Sequence, residues 1–105
     1  MSGVGRGMNI DIVLKTERGE VVAACEALLL VGPQFARLRE RVPVLNQVHV
    51  AALTMFNVLQ RAALAEQVAG AGLGRPEDDQ VLREVARLCE LSRDETHLYL
   101  WFLGA

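Results

Sequence analysis

The residues able to do chemistry are few. They are His49, His97, Cys25, Cys89, the acids at 77–79 and 94–95, and two serines, Ser2 and Ser92. The histidines and cysteines carry the atoms of a Cys₂His₂ zinc site. Structural zinc favours short paired ligand spacings, and these four are scattered. Cys25 and Cys89 sit instead inside apolar patterns, where a free cysteine packs as a small hydrophobe. A nucleophilic serine needs a base and an orienting acid, and no G-x-S-x-G signature occurs. Ser92-Arg93-Asp94-Glu95 matches a capping box, S-x-x-E, which satisfies orphan helix donors. The acids fall in helix first turns, where the dipole accounts for them. We therefore expect no enzyme, no catalytic residue, no resident metal and no cofactor.

Two further patterns invite a ligand. Gly70-x-Gly72-x-Gly74 is rich enough in glycine to cradle a phosphate. Such a loop follows a strand and opens a helix with bare N–H groups. This one follows a helical stretch, and Glu77-Asp78-Asp79 comes after it, so a connector is the better reading. Arg37, Arg39 and Arg41 form the one dense basic run. Arg37 and Arg41 share a helix face, which reads as a solvated face with ion pairs, or else as a dock for an acidic partner.

The chain has 105 residues, a net charge of −2, 51% hydrophobic residues and five aromatics. One domain follows from the length, since domains run to about 100–200 residues. The hydrophobic content excludes disorder, and the acidic balance argues against general nucleic-acid binding. Met1–Gly7 has no apolar run behind a basic start, so no secretory signal is read and the protein is expected in the cytoplasm. Residues 42–60 contain no Asp, Glu, Lys or Arg. A spanning helix needs about 20 predominantly apolar residues, and this segment carries Asn46, Gln47, His49, Thr54, Asn57 and Gln60. No membrane span is expected.

The elements that must position these groups read as mainly helical. Residues 1–8 look like a flexible leader, and 9–105 like a single helical domain. Residues 9–16 suggest a short strand, with Glu17–Glu20 either turning a hairpin or leading into a helix. Helices are expected over 20–31, about 33–41, about 44–69, from Pro76 through the Val81-Leu82-Val85-Leu88-Cys89 face, and over about 93–103. For 98–103 a strand is the alternative, and the Ser92 box favours the helix. The fold class is thus all-α, a compact bundle of four to five helices with room for a short N-terminal strand or hairpin.

Function follows from surplus apolar surface. The long helix has no clean solvent face, because neutral polar groups at Asn46, His49 and Asn57 are mixed with aliphatics such as Leu53. The last helix is apolar all round, with Leu98, Trp101 and Phe102. The expected function is a non-enzymatic protein–protein interaction module that self-associates as a homodimer through Asn46, His49, Leu53, Asn57, Leu98, Trp101 and Phe102. Two alternatives stand beside it. A DNA-binding regulator would use a helix-turn-helix-like pair over about 76–103, although Asp94 and Glu95 at the start of its second helix repel phosphate. A small-molecule sensor would enclose a pocket lined by Met55, Phe56 and Trp101.

Overall fold

Residues 9–16 alternate Ile10, Ile12 and Leu14 with Asp11, Val13 and Lys15, and that period of two makes them a strand. The computed structural model describes residues 8–104. The leader read over 1–8 lies outside the described residues apart from Met8. In chain order the elements are β1 (Asn9–Thr16), β2 (Val21–Ala24), β3 (Leu29–Leu30), α1 (Pro33–Arg41), a 3₁₀ turn (Pro43–Gln47), β4 (Leu53–Phe56), α2 (Val58–Ala69), α3 (Pro76–Leu91) and β5 (Leu98–Leu103).

This corrects the all-α reading and the helical bundle with it. Among the described residues three helices cover one antiparallel five-stranded sheet; 43% of these residues are helical, the 3₁₀ turn included, and 25% are strand. The sheet order is β2-β1-β5-β4, and β3 pairs with the start of β1. The strands nearest the two ends of the described chain, β1 and β5, thus form the centre of the sheet.

Each correction has a local cause. Gly19, at φ 90°, turns β1 into β2, and its N–H donates to the Thr16 carbonyl. Residues 20–31 therefore run back along β1 as β2 and β3 instead of coiling. Val13 faces Ala24 and Ile10 faces Leu29, with Cys25–Leu28 looping out between the two strands. The helical spacing of Val21, Cys25, Leu28 and Leu29 is a coincidence over a short window.

The long helix expected over 44–69 exists only from Val58. Asn57 caps α2: its side chain accepts from the Gln60 N–H, and the Gln60 side chain accepts from the Asn57 N–H. Upstream, the charge-free stretch makes the 3₁₀ turn and then β4, which pairs with β5. The helix expected over 93–103 is β5. Ser92 does not open a helix there; it ends α3, and its hydroxyl donates to the Leu88 carbonyl. Asp94 then takes a left-handed φ of 65°, which releases the chain into the sheet. Without a second helix over 98–103, the helix pair of the DNA-binding alternative is absent.

The helices pack on one side of the sheet. Ile10, Ile12, Leu14, Leu98, Leu100, Phe102 and Phe56 of the strands join Phe35, Leu38, Leu64, Val81, Val85 and Leu88 of the helices in a single core. The Phe56 and Phe102 rings meet at 4.9 Å in a tilted pair. Charged groups fasten the helical cover. Arg37 of α1 forks onto Asp78 of α3, donating at 2.7 and 2.9 Å, and Arg41 reaches Asp79 at 3.1 Å. Asp78 is almost fully buried, and its hydrogen bonds from Arg37 hold its carboxyl below the ordinary range.

Candidate interaction surface

A strand sends alternate side chains to opposite faces, so the sheet has a second face. The registers fix its composition. One row across it reads Ala24, Val13, Trp101, Met55. A second reads Asp11, Leu103, Leu53, and a third Val21, Lys15, Tyr99. Among the described residues no helix covers this face. Leu53 is 47% exposed, Met55 36% and Val21 63%, while Val13, Tyr99, Trp101 and Leu103 are half-buried by their neighbours. The face is apolar and aromatic, with two charges, Asp11 and Lys15, both on β1. Lys15 places its ammonium 4.5 Å from the centre of the Trp101 ring, a cation–π contact that keeps the stem against the sheet. The Trp101 indole N–H is enclosed and finds no acceptor.

The residues singled out from the sequence divide three ways. Leu53 and Trp101 lie together on the open face. Leu98 and Phe102 point to the other side and are buried in the core. Asn46, His49 and Asn57 are exposed and engaged locally: Asn46 donates to the Pro43 carbonyl, His49 Nδ1 accepts from the Ala51 N–H, and Asn57 caps α2. Met55 shares the open face with Trp101, while Phe56 is in the core, so the three do not line one pocket. Sequence reasoning missed Val13, Lys15, Tyr99 and Leu103. For Val13 and Lys15 the signal is the alternation Asp11-Val13-Lys15 against Ile10-Ile12-Leu14; Tyr99 and Leu103 sit in a run apolar on both faces, which leaves no such trace.

A groove of about 420 Å³ lies between α2 and α3, over Val58, Ala62, Ala65, Ala86 and Cys89. Its floor contains Arg61, 3% exposed. Arg61 donates to the carbonyls of Ser92, Glu95 and Leu98, the first at 3.0 Å and the second at 2.7 Å. These oxygens follow the C-terminus of α3, where the dipole favours a cation. Burial lowers the Arg61 pKa from its ordinary value. Arg61 is thus a brace tying α2 to the α3–β5 connection. Cys89 at the same place has its thiol pushed up to about 11 by burial. Burial also raises Cys25, which is half-buried. Both are therefore thiols and not thiolates at neutral pH, and it is the thiolate that reacts.

Of the arginine run, Arg37 and Arg41 bind the acids of α3, and Arg39 lies 5.0 Å from the centre of the Phe35 ring. The glycine loop joins two helices, and Arg41 donates to its Gly72 carbonyl. Among the described residues no group of three or more His, Cys, Asp or Glu is placed to hold a metal ion. No helix there is long and apolar enough to cross a membrane. No family model matches the chain.

Proposed function

We propose that this chain is a non-enzymatic protein–protein interaction module that self-associates as a homodimer through the open face of its sheet. The observation that carries the reading is the row Val13, Trp101, Met55, which none of the three helices overlies, with Leu53, Tyr99 and Leu103 beside it. Four strands at about 4.8 Å spacing and six residues at about 3.3 Å rise give a plane of roughly 19 by 20 Å. That matches the largest apolar patches on soluble domains, which are often binding surfaces. Two twisted sheets pack face to face about 10 Å apart, so a second copy is a fitting cover. Stable interfaces bury about 800 Å² per partner, and this face is smaller, so a weak, concentration-dependent dimer is expected. The free thiols of Cys25 and Cys89 accord with a cytoplasmic setting.

Sedimentation over a hundredfold dilution tests the reading. The expected mass at high micromolar concentration is twice that of the 11.5 kDa chain. Leu53→Lys with Met55→Lys, both exposed in the monomer, should give a folded monomer. A wild type that stays monomeric across the range would remove the proposal, as would a dimer indifferent to both lysines.

A further inference from the structure

Resting on that self-association, we infer that Asp11 and Lys15 set the orientation of the dimer, with the twofold axis lying between the sheets and across the strands, along the Val13–Trp101–Met55 row. The two charges stand on one strand, on one face, two residues either side of Val13. Val13 faces Trp101 across β1 and β5, and Trp101 faces Met55 across β5 and β4. An axis along this row reverses the strand direction of the second copy. Val13 then lies over the partner's Val13 and Trp101 over the partner's Trp101. Asp11 lies over the partner's Lys15, and Lys15 over the partner's Asp11. Both charges in each copy are neutralised across the interface.

An axis along the strands does the opposite. It keeps Asp11 in its own row, over the partner's Asp11, Leu103 or Leu53, and leaves Lys15 over the partner's Lys15, Tyr99 or Val21. Charges buried against like charge or against apolar groups are strongly disfavoured. The pair thus acts through exclusion of the wrong arrangement, with the apolar row supplying the attraction.

Charge reversal reads the orientation directly. Asp11→Lys alone sets lysine against lysine in the proposed dimer, and Lys15→Asp alone sets aspartate against aspartate. Each should weaken homodimerisation by at least about tenfold. An equimolar mixture of the two variants pairs lysine with aspartate at both positions and should recover dimers within a fewfold of wild type. With the axis along the strands, neither single change adds a like-charge contact, so wild-type affinity in both singles would overturn the proposal. A mixture that stays monomeric would do the same. Asp11→Asn and Lys15→Gln, which introduce no repulsion, give a second series with smaller losses if a reversed variant does not fold by circular dichroism. A wild type that is monomeric throughout removes self-association and this geometry with it, whereas a wild-type dimer with unaffected variants removes the geometry alone.

Discussion

The two faces of β5 make the sharpest contrast in the molecule. Leu98, Leu100 and Phe102 point one way and are buried, Leu100 and Phe102 completely. Tyr99, Trp101 and Leu103 point the other way and stay half-buried. Six successive apolar or aromatic residues therefore meet two environments. Residue type does not separate them; the helical layer does. One face is a core because α1, α2 and α3 lie over it. The other has the same chemistry and no cover, which is why we assign it a partner.

The largest effects should come from the covered face. Phe102 is enclosed and pairs with Phe56. Phe102→Ala removes that ring from a packed site and should cost about 3–5 kcal/mol, a large part of the stability of a domain this size. Its neighbour gives the opposite result. Trp101→Thr suits a strand and removes an indole donor that has no acceptor, but it also gives up a half-buried ring and its Lys15 contact, so it should cost about 1–2 kcal/mol, clearly less than Phe102→Ala. It should nevertheless abolish dimers. Chemical denaturation and sedimentation on the two variants separate the faces. Equal destabilisation by both changes would mean that the outer face is also core.

Loosening the cover comes next. Arg61 reaches three carbonyls that no other side chain serves, from Ser92, Glu95 and Leu98. Lysine keeps the charge but loses the planar fork. Arg61→Lys should cost about 1–3 kcal/mol, the usual worth of hydrogen bonds from a charged group; the Ser92 and Glu95 carbonyls keep their backbone donors. Hydrogen exchange should rise first in the 92–98 connection. Unchanged protection there would show that Arg61 only fills space.

How much of this was legible in the sequence depends on whether the signal was local. The strand over 9–16, the helix beginning at Pro33 and the helix beginning at Pro76 were read from alternation, from proline at the first turn and from helical spacing, and the structure has all three. The end of α2 before Gly70 was legible too. What failed was pairing between distant segments. LYLWFL at 98–103 carries apolar residues on both faces, so period two and period 3.6 leave the same trace. The Ser92 box tipped that tie wrongly, since the same serine satisfies the end of a helix through the Leu88 carbonyl. The useful box, Asn57 with Gln60, lay inside a charge-free stretch read as one helix. Of the residues on the open face, Leu53 stands out in the sequence as an aliphatic in a charge-free stretch and Trp101 as a large aromatic near the end of the chain. The charges flanking Val13 do not, because a strand's outer face means nothing until its neighbours are known.

The smallest expected effect lies in the acid range and again concerns the cover. Asp78 is buried beside Arg37, and its carboxyl titrates below the ordinary value because the guanidinium donates to both its oxygens. A carboxyl depressed in the folded state adds stability above its unfolded pKa of about 3.9 and loses that contribution as pH falls through the folded value. The protein should therefore lose stability below about pH 4, with Asp78 supplying part of the slope. In Asp78→Asn the stability at pH 7 should fall, while the further loss on going from pH 4 to pH 2 should shrink, because one proton-linked group has gone. Arg37 keeps partial access to water, so the variant should still fold. Denaturation midpoints across that range give the slopes. If wild type and Asp78→Asn run parallel from pH 4 to pH 2, the Arg37–Asp78 fork contributes nothing specific, and α1 is held to α3 by packing and the Arg41–Asp79 pair.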